Sequence, residues 1–327
     1  MKKNIAIIMG GYSSEIEISL TSGAVVYKHL NKQKYIAYKI YILKNKWVLV
    51  DDNNDEFPIN KHDFSADVNG KKITFDCVFN AIHGAPGENG TILAYFDLIG
   101  LKHTSAPFYQ MALTFNKRDT LSVVKQYGIA TANSIYLNQG DAINIDKIIT
   151  KVGLPCFVKP NNAGSSFGIS KVHTKQELIP ALEIAYKEDS EILIESFLDG
   201  IEVSIGVINY KNKITVLPIT EIVSENDFFD YEAKYEGKSQ EITPARLTEL
   251  QEKKVGETAK RIYQILNMSG FSRSEFIFVN NEPHFLEMNT VPGLTEASIL
   301  PQQANCAGIS LTELFGNAVE TALKETK

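Results

Sequence analysis

The sequence predicts an α/β protein that opens with a small doubly wound parallel sheet. Two observations carry this reading. Apolar runs of strand length alternate with stretches of helical period over residues 4–98. Each of the two most apolar strands ends in a glycine turn, at Gly10-Gly11 and at His83-Gly84. A third observation extends it: 327 residues ask for two or three domains sharing one functional unit.

Taken in order, Asn4–Met9 reads as a buried strand, too short for a signal peptide or a membrane span. Ser14 and Glu17 have the spacing of a capping box, so a helix is expected from there to about Leu30. Ile36–Leu43 and Trp47–Val50 read as strands, Asp51–Asp55 as an exposed turn, Phe75–Ile82 as a strand and Gly90–Leu98 as a helix. This first domain is placed at 1–115. A second, 116–197, has a helix at Lys117–Tyr127, strands at Cys156–Lys159, Ile169–Val172 and Glu191–Glu195, and a helix at Lys175–Lys187. A third, 198–327, pairs Glu202–Ile208 with Ile214–Ile219 and continues into a polar, aromatic loop at 224–244. A helix at Leu247–Leu266, a hairpin of Glu275–Val279 with His284–Met288, and a terminal loop and helix complete it.

Composition excludes several classes. The net charge is −6, and there is no basic run, finger spacing or aromatic RNA-binding motif, so no nucleic-acid partner is expected. No stretch is long and apolar enough to cross a bilayer. The three cysteines, Cys77, Cys156 and Cys306, are isolated among apolar or small residues and read as buried, reduced thiols of a cytoplasmic protein.

Five constellations could carry chemistry. In the last hairpin the turn reads as Asn280-Asn281-Glu282; centred near Asn281, it opposes Glu275 to Glu287 and puts Arg273 and Asn289 on their face. Opposed carboxylates repel unless a cation lies between them, and oxygen ligands of this kind suit Mg²⁺ whose shell is completed by substrate phosphates. A solvated hairpin face fits the spacing equally well. Lys159 ends a strand and leads into the small-residue loop Pro160–Gly168, which could cradle phosphate; a plain hairpin turn fits better by itself. Glu191–Glu195 and the following Ser196–Glu202 resemble a hinge that could hold a nucleoside, or an ordinary strand with exposed acids. Phe229–Tyr235 has no regular period, as in a lid or a surface loop. Glu15, near a helix N-terminus, could hold an ammonium or simply cap the helix, and His83 occupies the corresponding loop of the later strand.

The order of these signals resembles the D-alanine–D-alanine ligase family of ATP-grasp enzymes. The matching residues are Gly10-Gly11-Tyr12-Ser13-Ser14-Glu15, His83-Gly84 with Gly87-Glu88-Asn89-Gly90-Thr91, Lys117, Val158-Lys159-Pro160, the lid, Arg273, and Leu286 through Thr295. They span the whole chain in register. The resemblance implies a three-subdomain ATP-grasp fold and the ligation of two D-alanines through an acyl phosphate for peptidoglycan precursor synthesis. It implies ATP as co-substrate and two Mg²⁺, with Mn²⁺ an alternative, on Glu275, Glu287 and Asn289. Lys117, Lys159 and the lid's Lys234 match phosphate contacts, and Glu195, Leu198 and Glu202 match adenosine contacts. Glu15, held through Ser165 and Tyr235, matches the anchor of the first ammonium. Arg273 and the Gly293 N–H match the oxyanion stabilisers, Ser298 a contact of the second carboxylate, and His83 a neighbour of the first substrate. The family is commonly dimeric, so the resemblance also allows a homodimer.

Two positions depart from the family pattern. Ser196 stands where a lysine usually follows the adenine-side glutamate, and Glu275 where the metal ligand is often aspartate. Tyr235 is the residue that relatives making D-alanyl-D-lactate typically lack. The competing readings are another ATP-grasp carboxylate–amine ligase and a nucleotide-binding regulator without catalysis. A Rossmann oxidoreductase is disfavoured because the first turn lacks the third glycine of that fingerprint.

Overall fold

The structure is a computed structural model that describes residues 2–324 except Ala163, Ser165, Ser166 and residues 225–238. Its first sheet contains β1 (Lys3–Gly11), β2 (Tyr35–Leu43), β3 (Trp47–Val50), β4 (Glu56–Asn60), β5 (Ser65–Val68), β6 (Lys71–Ile73) and β7 (Cys77–Asn80), in the order β6-β5-β4-β3-β2-β1-β7. β1 runs parallel to β2 and β7. Ile5, Ile7 and Met9 bury one face of β1 against α1 (Ile16–His29) and α9 (Leu311–Lys324), while Ala6 and Ile8 bury the other with Ile92, Leu93 and Phe96 of α2 (Thr91–Leu98). The predicted doubly wound centre is therefore present.

From β2 outward the sheet continues as an antiparallel meander through β3, at its expected place, to β4, β5 and β6, which the sequence reading does not contain. Its strands are short and polar. They hold on through a few buried apolar side chains, Ile59, Ala66 and Ile73, and through Phe64, whose ring meets Phe96 edge-on at 4.8 Å.

The turn after β1 needs glycine. Gly10 and Gly11 have φ of +101° and +107°, and a Cβ on Gly11 would lie 2.8 Å from the Ile82 side chain. The capping box expected at Ser14 and Glu17 does not form. Glu15 is the residue before α1 and its side chain caps nothing; the Ser13 hydroxyl accepts from the Glu15 N–H at 3.3 Å instead. The Glu15 carboxylate lies against Gly164 and Gly84 in the interior of the molecule.

After α3 (Phe108–Phe115), which was not anticipated, Asn116 caps α4 (Lys117–Gln126) by accepting from the Asp119 N–H. The second sheet, β8 (Ser134–Asn138), β9 (Cys156–Pro160), β10 (Ser170–Val172) and β11 (Glu191–Ser196), is antiparallel in the order β10-β9-β11-β8. Ile192 and Ile194 face α5 (Ile145–Val152) and α6 (Leu178–Ala185), so Leu193 and Glu195 face the opposite way. β8 and α5 also escape the sequence reading.

The third sheet runs β15 (Ser239–Ile242), β14 (Thr220–Ser224), β12 (Ile201–Tyr210), β16 (Phe271–Val279), β17 (Glu282–Asn289), with β13 (Lys213–Val216) pairing β12. β15 lies inside the span read as loop 224–244, which is therefore narrower than expected. Val203, Ile205 and Val207 share a core with Val255, Ala259 and Ile262 of α7 (Glu249–Ile265), a helix that starts on a complete Thr248–Gln251 capping box. The other face meets α8 (Ile299–Cys306): a Cβ on Gly206 would fall 2.7 Å from Gln303 and Leu300.

Cys77 and Cys156 are buried free thiols as expected, but Cys306, at the end of α8, is exposed. Among the described residues no helix is long and apolar enough to cross a membrane.

Candidate active site

The β16–β17 hairpin places its acids in an unexpected way. The turn is two residues, Asn280 and Asn281, with φ of +51° and +63°, the sign pattern of a type I′ turn, and β17 already begins at Glu282. That turn alone would set Glu275 opposite Leu286. A bulge intervenes: Phe276 pairs with Phe285, whereas Glu275 pairs with Glu287 and Arg273 with Asn289. Leu286 is the extra residue. Burial changes phase across it, with Phe285 in the core before it and Met288 after it. The predicted opposition of Glu275 and Glu287 holds, but the bulge produces it.

Each hairpin carboxylate meets a cation. Arg273 Nη1 donates to Glu275 Oε1 and, at 3.0 Å, to Ser204 Oγ. Lys117, the first residue of α4, places its Nζ 3.2 Å from Glu287 Oε2. Burial works against the Arg273 charge, but Glu275, followed by Glu287 and Glu241, outweighs it and holds the guanidinium above its usual range. Two opposed carboxylates and an amide on one face form an oxygen-only donor set. Among the described residues no group of three or more His, Cys, Asp or Glu could enclose a metal. Such a donor set would suit a hard divalent ion only with further ligands from substrate phosphates.

A cavity of about 310 Å³ lies over this face. Glu15, His83, Arg273, Glu287, Asn289, Gly293 and Ser298, seven residues singled out in the sequence, all line it. Glu15 and His83 come from the loops at the carboxyl ends of β1 and β7, where open α/β sheets bind ligands. Gly164 closes in from the second sheet: a Cβ there would lie 2.7 Å and 2.8 Å from the two Glu15 carboxylate oxygens. Ser298 sits against Gly293, and its hydroxyl shares a 2.8 Å hydrogen bond with Thr295.

The residues expected around a nucleotide form a second group. Lys159 Nζ is 3.0 Å from Glu195 Oε2. Burial pulls the lysine down, but Glu195, with Glu287 and Glu275 farther away, raises it overall, which links this pair electrostatically to the hairpin. Glu195 is 2% exposed, and its Oε1 is buried without a hydrogen-bond partner among the described residues. An orphaned acceptor of this kind suits a donor supplied by a ligand, such as an exocyclic amine. Leu198 lies half-buried in the segment joining β11 to β12. Glu202 pairs with Ile277 one step along from Ser204 opposite Glu275, so it shares the face of Arg273 and Glu275. Leu198, Glu202, Lys117, Lys159, Glu195 and Glu275 do not line the 310 Å³ cavity itself. Ser196 turns its hydroxyl to the Asn133 N–H at 3.0 Å. Ser165, Lys234 and Tyr235 lie outside the described residues.

Two cavity acids were not singled out. Glu88 sits within a quoted motif but was given no role, and Glu241 lies in a polar stretch with no period. Glu88 is 9% exposed; burial first and then the Glu15 charge push it up to about 7, against a hydrogen bond from the Gly84 N–H to Oε2 at 3.0 Å. His83 is driven the other way, to about 4, mainly by burial, with a backbone hydrogen bond at Val291 opposing and the Arg273 charge assisting. It is a neutral imidazole at neutral pH, fixed by Ser22 Oγ at 3.1 Å from Nε2.

Comparison with known proteins agrees with this arrangement. Residues 4–106 match the sequence family "D-ala D-ala ligase N-terminus" and residues 123–320 match "D-ala D-ala ligase C-terminus". A D-alanine–D-alanine ligase of Flavobacterium johnsoniae is 70% identical over 321 residues, 98% of this chain and 99% of that protein. Among solved structures, the VanG D-Ala:D-Ser ligase from Enterococcus faecalis is 30% identical with a TM-score of 0.85, covering 98% of this chain and 99% of the other. The Bacillus anthracis D-alanine–D-alanine ligase complexed with ATP is 27% identical with a TM-score of 0.79, covering 98% of each. The fold is thus that of an ATP-grasp protein, and the chain belongs to the D-alanine–D-alanine ligase family.

Proposed function

We propose that this chain joins two D-alanines into D-alanyl-D-alanine, the dipeptide of peptidoglycan precursors, with cleavage of ATP to ADP and phosphate. One observation carries the reading: Glu287, opposed across the hairpin to Glu275, lines with Arg273 a cavity that also holds Glu15 and Ser298. The functional units are taken as 1–115, 116–197 and 198–327, each with its own sheet. Use of ATP assigns the enzyme to the cytoplasm.

Glu195, Leu198 and Glu202 surround the adenosine, and Lys117, Lys159 and Lys234 hold the phosphates. Glu275, Glu287 and Asn289 would hold two Mg²⁺, whose charge would offset that of the transferring phosphoryl group. Lys117 leaves Glu287 for phosphate, so the same side chain balances the acid in the free enzyme and the nucleotide in the complex. Glu15, with Ser165 and Tyr235, anchors the ammonium of the first D-alanine beside neutral His83. Its carboxylate accepts the γ-phosphoryl group, giving an acyl phosphate. The second D-alanine, its carboxylate on Ser298, attacks the acyl carbon. Arg273 and the Gly293 N–H stabilise the oxyanion, and phosphate departs.

The test is phosphate release from Mg-ATP with D-alanine, L-alanine, D-serine or no amino acid, with product identification. D-Alanine-dependent release with dipeptide formed is the expected result. Release with neither alanine, in folded protein that binds ATP, would overturn the reading in favour of another carboxylate–amine ligase.

A further inference from the structure

Glu241 has no part in the roles above, yet it lines the same cavity. Its place follows from strand register. Glu241 pairs with Ile222, Ile222 with Glu202, and Glu202 with Ile277, one row across the third sheet. Paired residues share a face, and this row lies on the face of Arg273 and Glu275. On that wall Glu241 meets the start of α8, where Gln302 Nε2 donates to its Oε2 at 3.4 Å. Ile222 and Ile299, beside Ser298, form a small buried cluster under it.

The charges of the cavity narrow its role. Among the described residues, Glu15, Glu88, Glu241 and Glu287 line the cavity, and Arg273 is the one fixed cation that does. Glu15 is matched to the first ammonium, and Glu287 to Lys117 and the metal. Glu88 sits on the N-terminal wall, bonded by the Gly84 N–H. The second amino acid brings another ammonium, and its carboxylate is assigned to Ser298, on the wall that carries Glu241.

We propose that Glu241 docks the ammonium of the second amino acid and takes the proton whose loss makes that amine a nucleophile. This rests on the ligase reading and on the placement of the second substrate at Ser298. The ammonium gives one proton to the Glu241 carboxylate. The freed nitrogen lone pair then forms the C–N bond to the acyl carbon, and the C–O bond to phosphorus breaks with its electron pair leaving on phosphate. Of the two protons left on nitrogen, one stays on the amide and the other leaves with phosphate; Glu241 returns its own to solvent. Arg273 and Gln302 face Glu241 and favour its ionised form, while Glu275 and above all burial oppose it, and the net effect raises its affinity for a proton. Such a carboxylate is a better base than a solvated one.

The test compares wild type, Glu241→Gln and Glu241→Asp with two nucleophiles. D-Alanine must lose a proton to react. Hydroxylamine, already uncharged at neutral pH, traps the acyl phosphate as a hydroxamate without a base. Glu241→Gln keeps the side-chain volume and is expected to lower dipeptide formation roughly 100-fold with hydroxamate formation unchanged; Glu241→Asp restores part of the dipeptide rate. Dipeptide formation at the wild-type rate in Glu241→Gln would overturn the role, as would an equal fall of both products, which would place Glu241 in folding or in the first step. Wild-type enzyme that yields hydroxamate but no dipeptide would instead refute the second-substrate reading beneath it.

Discussion

The hairpin wall and the N-terminal wall of the cavity both present carboxyl groups, and they meet the cost of burying them differently. On the hairpin, Glu275 and Glu287 each have a cation built in, Arg273 and Lys117. On the N-terminal wall, Glu88 has burial and the Glu15 charge against ionisation and mainly one N–H in favour. The hairpin acids are ion-paired before any substrate arrives. Glu88 stays near its midpoint at neutral pH and can take or release a proton when a substrate cation arrives. The difference matches the chemistry expected at each wall: metal ions need a permanent anion, whereas amino acids bring charges that come and go.

The largest effect should follow from Glu287→Gln, which removes a metal ligand and leaves Lys117 without this partner. Turnover is expected to fall about 1,000-fold, read as Mg²⁺-dependent phosphate release; an active variant would remove Glu287 from the metal site. Next is Arg273→Met. It strands Glu275 in a buried position and should cost about 3–5 kcal/mol by urea unfolding. Arg273→Met with Glu275→Gln should recover most of that stability and none of the activity. Equal instability of single and double variants would mean the pair is not what holds this part of the wall.

The N-terminal wall gives smaller effects that depend on pH. Glu88 is raised from 4.5 to about 7, so the carboxyl favours the folded state below pH 4.5 and loses that advantage as pH rises through 7. Glu88→Gln should therefore stabilise the protein by about 3 kcal/mol at pH 8 and by almost nothing at pH 4.5; a gain independent of pH would refute the raised value. His83 has the opposite slope. Lowered from 6.5 to about 4, it leaves stability intact above 6.5 and erodes it as pH falls toward 4. His83→Gln should flatten the profile of unfolding free energy against pH in that window by about 3 kcal/mol. An unchanged profile would mean that the imidazole titrates normally.

The strands that carry the site were legible because they are strongly apolar and end in glycine or in charge. β1, β9, β11, β12 and the last hairpin fall close to their expected places. The β4–β6 meander was not, because its pairing depends on partners distant from any local pattern. α5 was legible in principle: Asn144 caps it and Ile145, Ile148 and Val152 share one face. The site followed the same division. Spacing was enough to put Glu275, Glu287 and Asn289 on one hairpin face. Glu241 was not found, because only its register in the third sheet brings it to the cavity.

The bulge at Leu286 gives the hairpin a reading frame. On the turn side of it, odd-numbered residues of β17 point into the core; beyond it, even-numbered ones do. Adding one residue to each strand near Asn280 and Asn281 would lengthen the hairpin outward without disturbing the site. Ironing out the bulge with Leu286 retained would be a frameshift in three dimensions: Leu286 would oppose Glu275, Met288 would turn to the cavity, and Glu287 and Asn289 to the core. Natural variation in length should therefore be tolerated at the tip and excluded from Glu287 to Asn289, where one residue more or less turns the acids away from the cavity.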